Sequence, residues 1–217
     1  MRIPNHAHES GPWRIREIAA DFRLEDVWAL PARGGAGDFP ALLDTMATLG
    51  TTDGDAPASG GDASASGALM RVRMLVGRWL GWDEGSAELP IPGTSETSLA
   101  ARLPEDLRGT AAGVGIGSLP FVPLYRTGTE AAAELSNQTV HAVVHLAWAD
   151  QGDGRYQGQM AIYVKPRGAL GVAYMAFIKP FRYAIVYPSL MRRIERAWNA
   201  RAARPAAPHA ARSVPSA

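Results

Sequence analysis

The amino-acid sequence predicts an α+β domain in which an antiparallel sheet precedes a long C-terminal helix. Four strand-like segments follow one another over residues 121–165, and the short Gly/Asp-rich connection 150–154 favours an antiparallel hairpin between the last two. After residue 171, large apolar residues recur at intervals of three and four, which is typical of one face of a helix. Pro180 and Pro188 lie within that helix, so we expect kinks or one break there.

Length and composition indicate one soluble globular domain. The chain has 217 residues, of which 47% are apolar and 20% charged, as in ordinary globular domains. It contains no cysteine, which excludes disulfides, thiolate metal ligands and a thiol nucleophile. No run reaches the roughly 18 apolar residues that cross a bilayer, and the N-terminus does not resemble a signal peptide. We therefore expect a cytoplasmic protein.

We expect a single domain over residues 13–200, flanked by a disordered N-terminus over residues 1–12 and a disordered tail over residues 201–217. The Gly/Ser/Ala/Asp-rich segment 50–67 has no residues with which to build a core, and we predict that it is a flexible surface insertion. Apolar periodicity predicts the remaining elements: a strand over residues 20–30 and helices over residues 38–49, 68–80 and 98–107.

The two strands of the predicted hairpin alternate between an apolar face and a more polar face. Every second residue from Val140 to Trp148 is apolar, whereas His141 and His145 lie on the opposite face. Because a sheet buries its apolar face first, that face is the better partner for the C-terminal helix.

Residues 134–141, 158–166 and 174–188 together resemble the bacterial domain of unknown function 2867 family. The last of these segments contains the sequence Pro-Phe-Arg, and the resemblance extends over roughly residues 18–200. It implies a helix-grip arrangement, in which a curved antiparallel sheet wraps the long C-terminal helix and often leaves a cavity between them. It brings no established catalytic residues.

The leading functional prediction is a pocket for a small, largely apolar molecule, without a cofactor. It depends on the cavity that the resemblance implies and on the aromatic stripe of the C-terminal helix. The polar face of the hairpin would supply polar groups if it lined this cavity. The predicted ligand-binding residues are Glu134, Asn137, Lys165 and Tyr174.

A second hypothesis is a cofactor-independent enzyme that transfers protons. His141 and His145 are candidate bases because imidazole titrates near neutral pH, and Tyr163 on the paired strand is a candidate partner. The two histidines are about 13 Å apart along a strand, too far to bind one metal ion together, so we expect no metal site. The alternative is that this polar face is simply solvated. The residues do not decide between carrier and enzyme, and they do not give the oligomeric state.

Basic residues concentrate at the C-terminus. Residues 171–217 contain eight Lys or Arg against the single acid Glu195, although the whole chain has a net charge of +1. A third hypothesis is therefore a nucleic-acid or partner-binding module. We expect no nucleic-acid binding, because the aromatic residues here follow the apolar stripe and not the basic face. We expect no membrane role either, because exposing that stripe to lipid would leave the sheet uncovered.

Overall fold

The structure is a computed structural model, and it describes residues 1–49, 97–115 and 121–203. The predicted insertion 50–67 and the predicted helix 68–80 lie outside the described residues. The helices and strands, in chain order, are β1 (Arg2–Ile3), α1 (Asn5–Glu9), α2 (Ile15–Ile18), β2 (Arg23–Gly34), α3 (Phe39–Thr48), β3 (Val122–Arg126), β4 (Glu130–Ser136), β5 (Val140–Asp150), β6 (Tyr156–Pro166), α4 (Gly168–Phe181) and α5 (Tyr187–Ala202).

Within the described part of the chain, six strands form one open antiparallel sheet in the order β1-β2-β6-β5-β4-β3. With the long C-terminal helix and the short N-terminal helices beside it, this sheet confirms the predicted α+β class. The predicted hairpin is also present, since β5 and β6 pair in register along their whole length. Its turn is tight because Gly152, Asp153 and Gly154 all adopt positive φ.

Both faces of the sheet are covered by other parts of the chain. On the first face, the apolar side chains of β5 share one core with α3 and α5, which contribute Leu42, Ile194 and Trp198. On the second face, segment 13–22 and residues 99–107 cover the strands with a separate apolar cluster. Side chains on either face of the central strands therefore lie inside the protein.

Some element boundaries differ from the sequence predictions. The strand predicted over residues 20–30 is β2, which begins and ends later. The helix predicted over residues 98–107 is two short 3-10 turns, because Pro104 between them has no N–H to donate. Asp38, the first residue of the helix predicted over residues 38–49, turns its carboxylate back to the N–H of Gly35, at 2.9 Å, and makes no cap bond to α3.

The first twelve residues differ most from expectation, which was disorder over residues 1–12. β1 pairs with β2, where Arg2 stands opposite Trp28, and α1 follows it directly. His8 of α1 is completely buried against the second face of the sheet. Local composition does not reveal these contacts, because His145 and Gln159, which His8 contacts, lie 137 and 151 residues further along the chain.

The C-terminal helix changes from α-helical to π-helical winding between Pro180 and Pro188. Between α4 and α5, residues Arg182–Val186 form a π-helical turn, in which the N–H of Tyr187 donates to the carbonyl of Arg182. Pro188 cannot donate to the carbonyl of Ala184 and crowds it, so the wider turn relieves a clash that an α-helix would contain. The helix continues through this turn.

A buried carboxylate fixes the π-helical turn on the sheet. Asp26 of β2 accepts hydrogen bonds from Arg182 and Tyr183, and from the hydroxyl of Tyr187 at 3.0 Å. Asp26 has no exposed surface, and a buried charge requires such partners. The Pro-Phe-Arg segment therefore lies where the helix is attached to the sheet.

By length and composition alone, the helix Gly168–Arg201 is long and apolar enough to cross a membrane. It has 34 residues, and its most apolar 18-residue window has a mean hydropathy of 1.3. Core helices of soluble proteins meet the same criteria, so the criteria by themselves are weak evidence for a span. Only 17% of that window is buried inside the protein.

Candidate functional site

The face of the hairpin that carries His141, His145 and Tyr163 is interior. Both histidines have no exposed surface, and Tyr163 is buried in the cluster formed with segment 13–22. The long C-terminal helix packs on the opposite face. This corrects both alternatives left open by the sequence, because the histidines contact neither bulk water nor the helix.

A buried hydrogen-bonded network connects α1 with β4, β5 and β6. Nε2 of His145 lies 2.8 Å from Oε2 of Glu130, and its Nδ1 lies 3.2 Å from Nε2 of His8. On the other side of the His8 ring, Nδ1 lies 3.0 Å from Oε1 of Gln159. We call these four residues, Glu130, His145, His8 and Gln159, the His8 network.

Two further donors hold the Glu130 carboxylate in place. The backbone N–H of Arg14 lies 2.9 and 3.1 Å from its two oxygens, and the hydroxyl of Tyr125 donates to Oε2 at 3.2 Å. Burial, reinforced by the nearby Glu130 charge, raises the pKa of Tyr125, so this hydroxyl keeps its proton. The carboxylate is therefore fixed in the orientation that binds His145.

Two proton arrangements satisfy every contact in the His8 network. In the first, His145 carries protons on both nitrogens, and His8 donates from Nδ1 to Oε1 of Gln159. In the second, the Gln159 amide is turned over and donates to Nδ1 of His8, which donates from Nε2 to a neutral His145. The two arrangements differ by one proton and by which amide atom faces away from His8. The amide orientation in the structure matches the first arrangement.

His8 itself is a neutral imidazole near neutral pH. Burial, and then the neighbouring His145, lower the pKa of His8 from the ordinary 6.5 to about 4. The hydrogen bond to Gln159 and the charge of Glu130 oppose this shift without cancelling it. A neutral imidazole has one donor and one acceptor, which allows His8 to link His145 with Gln159.

His141 belongs to a second, separate pair. Its Nε2 lies 2.8 Å from Oε2 of Glu134. Oε2 also accepts from the N–H of Leu99 at 3.0 Å, and Oε1 accepts from the hydroxyl of Ser98. Burial acts to raise the pKa of Glu134, but these hydrogen bonds outweigh it, and the pKa is below the ordinary 4.5. The ring of Phe22 packs edge-on against His141 with 4.9 Å between centroids. This pair is enclosed by protein.

Both pairs follow from the register of β4 and β5. Glu130 stands opposite Ala147, two residues beyond its partner His145, and the same offset relates Glu134 to His141. Such diagonal neighbours on one face of a sheet are within reach of long side chains. The equal spacing of two glutamates and two histidines therefore produces two pairs.

The other predicted ligand-binding residues do not share one site. The side chain of Asn137 shapes the β4–β5 turn and accepts from the N–H of Thr139 at 2.9 Å. Lys165 forms an ion pair of 2.8 Å with Asp21 near the surface. Tyr174 belongs to α4 and is buried against the first face of the sheet, away from the histidines.

Tyr163 lies beside the His8 network without a hydrogen bond to it. Its ring centroid is 6.5 Å from that of His145 and 6.3 Å from that of His8. Among the described residues, neither its hydroxyl nor the indole N–H of Trp13 has a hydrogen-bond partner. Burial raises the pKa of Tyr163, so its hydroxyl remains a donor. Two buried donors are thus available next to the network.

An open groove of about 630 Å³ borders the His8 network near the β5–β6 turn. Ala29, Gln157 and Gln159 line it from the sheet, and the N-terminal segment from Ile3 to Trp13 lines it from the other side. Gln159 therefore belongs both to the groove and to the network. Its amide nitrogen makes no hydrogen bond within the described residues, and a bound molecule can use it.

Sequence reasoning identified His145 but missed its partners Glu130, His8 and Gln159. The spacing of Glu130 and Glu134 matches that of the histidines. If the two strands are assumed to pair in an antiparallel way, this equal spacing predicts two Glu–His pairs. No local pattern marks His8, because it reaches the network only through the fold of the N-terminal segment.

Comparison with known protein families finds one that covers most of the chain. The model described as "Protein of unknown function (DUF2867)" matches residues 18–189. This chain belongs to the DUF2867 family. In this DUF2867 protein, the matched residues include Glu130, His145 and Gln159, whereas His8 lies before them. No curated protein and no solved structure matches the chain.

The lowered pKa of His8 predicts a loss of stability in mild acid. Between pH 6.5 and about pH 4 the unfolded chain binds a proton at His8 that the folded protein does not, so the free energy of unfolding falls as pH decreases. The contribution is about 3 kcal/mol, present in full above pH 6.5 and lost by about pH 4. Urea unfolding across this range measures it.

The His8→Gln variant should lose less stability than the wild type between pH 7 and pH 4, by about 3 kcal/mol. His6→Gln, at an exposed position on the same helix, is the matched control and should follow the wild type. Equal pH dependence in His8→Gln and in the wild type would contradict the buried, neutral state of His8.

Proposed function

We propose that this DUF2867 protein binds a small, largely apolar molecule in the groove beside the His8 network. The observation that carries the proposal is the position of Gln159, which lines the groove and contacts His8 at 3.0 Å. A molecule in the groove meets a polar group that is bound on its other side to the buried His8. Apolar walls with a few oriented polar groups are typical of small-molecule sites.

The lining of the groove disfavours an anionic ligand. Ile3, Pro4 and Ala7 contribute apolar surface, and the amides of Gln157 and Gln159 supply hydrogen bonds. The described residues that line the groove include no Lys or Arg, so a carboxylate would lose hydration without gaining a cationic partner. The free amide nitrogen of Gln159 suits an acceptor, and we infer an apolar molecule with a carbonyl group.

The groove does not lie between sheet and helix, where the family resemblance implied a cavity. In the described structure, Trp28, Trp148 and Ile194 occupy the core between the first face and α5. Their side chains are buried, and the rings of Trp148 and Trp198 lie 5.9 Å apart. The second face, covered by the shorter N-terminal segment, is where the structure offers open space.

Filling the groove tests this proposal without disturbing the core. Ala7 is exposed and lines the groove, so Ala7→Phe should place a ring where the ligand binds and weaken binding at least about tenfold. We suggest short aliphatic methyl ketones as probes, with the matching amines for comparison. Native mass spectrometry and thermal shift measure their binding.

Ala173→Phe is the matched control, because Ala173 is an exposed helical alanine of α4 far from the groove. It should bind the ketones as the wild type does. The proposal fails if no ketone binds, or if Ala7→Phe and Ala173→Phe bind ketones equally well.

A second candidate function is proton transfer to or from the bound carbonyl compound. The observation in its favour is that His8, a neutral base, lies directly behind Gln159 and is oriented by His145 and Glu130. In this hypothesis His8 removes a proton from the carbon next to the carbonyl. The Glu130 carboxylate stabilises the positive charge that develops on His8, and His145 holds the His8 ring in place. Local movement of Gln159 is required for contact between His8 and the molecule.

Deuterium exchange at the carbon next to the ketone carbonyl, followed by proton NMR in heavy water, measures such catalysis directly. His8→Gln should reduce the protein-dependent exchange rate by at least about a hundredfold, since a general base contributes roughly that much. His141→Gln, an equally buried histidine in the enclosed pair, should keep the rate. Similar losses in both variants would show general destabilisation and remove the hypothesis.

A further inference from the structure

The outer side of the C-terminal helix exposes large apolar side chains. In α4, Leu170 and Phe177 are each 65% exposed and Val172 is 59% exposed. Phe181 and Val186 extend this surface through the π-helical turn. At about 3.6 residues per turn, Leu170, Phe177 and Phe181 lie along one edge of the exposed side of the helix, and Val172 lies along the other edge. Exposed apolar residues that cluster in this way mark an interaction site more often than isolated ones do. We call these five residues the apolar strip.

The helix that carries the apolar strip contains many more basic than acidic residues. No Asp or Glu occurs from residue 168 to residue 194, and Glu195 is the first acid. The Lys179 side chain is 51% exposed and pairs with Glu25 of β2 at 3.5 Å, and Arg192 and Arg196 are exposed further along the helix. Apolar side chains that insert below lipid headgroups, together with cations that meet anionic headgroups, are what a helix needs to bind in a membrane surface.

The helix can bind a membrane without uncovering the sheet. From the sequence we expected no membrane role, because a single apolar stripe would have to cover the sheet and also contact lipid. In the structure, Ile194 and Trp198 of α5 are buried against the sheet, whereas the apolar strip belongs to α4 and the π-helical turn. A helix that crosses the bilayer would require α5 to leave this core, whereas binding in the membrane surface does not.

A second copy of the protein is a less suitable partner for the strip. The 19 residues of Gly168–Val186 form a helix face about 28 Å long and about 10 Å wide. This is well below the roughly 800 Å² per partner of stable protein interfaces. Two copies would also bring the exposed cations of this helix, Arg192 and Arg196 among them, toward each other.

We propose that the apolar strip lies in the surface of an anionic membrane, with the helix parallel to the bilayer and Lys179, Arg192 and Arg196 near the headgroups. The inference is independent of the groove and of its ligand. It identifies the partner by chemistry, as a bilayer that contains acidic phospholipid.

Flotation of the full chain with lipid vesicles tests the proposal. The protein should float with vesicles of phosphatidylcholine and phosphatidylserine, bind those of phosphatidylcholine alone more weakly, and dissociate from the anionic vesicles at high salt. The double variant Leu170→Ser/Phe177→Ser should lose at least about tenfold in affinity, because two large exposed side chains no longer insert. Val122→Ser, an exposed apolar position on β3, should bind as the wild type does.

Absence of flotation with the anionic vesicles, or equal flotation of the double variant and Val122→Ser, overturns the proposal. So does a wild-type dimer that the double variant converts to monomer in sedimentation, because a second copy would then cover the strip. Protection of the Leu170 and Phe177 side chains from hydroxyl-radical labelling in the lipid-free protein also overturns it, since another part of the chain would then be the cover.

Discussion

The structure depends on the fact that both faces of its central sheet are covered. A strand with one solvated face can place polar residues there freely, but here the polar face of β5 is interior, and its side chains need partners within the protein. The diagonal pairs of Glu130 with His145 and of Glu134 with His141 meet that need. Leaving one such buried group unpaired would cost about 1–3 kcal/mol or more, so the two pairs fix the register of β4 against β5.

The same constraint explains the position of the groove and the importance of the N-terminal segment. The first face is covered by helices that fill the space above it, whereas the second is covered by short segments that end near the β5–β6 turn. Where this cover ends, Gln159 connects the groove with His8. Polar groups that are buried for stability are thereby placed beside a surface that a ligand can reach.

The sequence predicted the local and periodic features of this fold. Alternation along β5 and β6, the Gly/Asp connection and the apolar spacing of the long helix each depend on nearby residues, and each appears as predicted. The cover of the second face could not be predicted, because alternation separates two faces without showing what packs on either. In the sequence, His8 is 137 residues from His145, and Asp26 is 156 residues from Arg182, which it binds. The prolines predicted an interruption in the helix, but its π-helical form also depends on how the helix is attached to the sheet.

The most direct test of this account is the ionisation of His8 in the folded protein. Long-range proton–nitrogen NMR spectra of the imidazole rings, recorded from pH 7 to pH 4, report the charge and tautomer of each histidine. The account predicts a His8 ring that stays neutral until about pH 4 and keeps a hydrogen-bonded proton between its Nε2 and Nδ1 of His145. A His8 ring that gains its proton near the ordinary 6.5, with no bonded proton shared with His145, would contradict it.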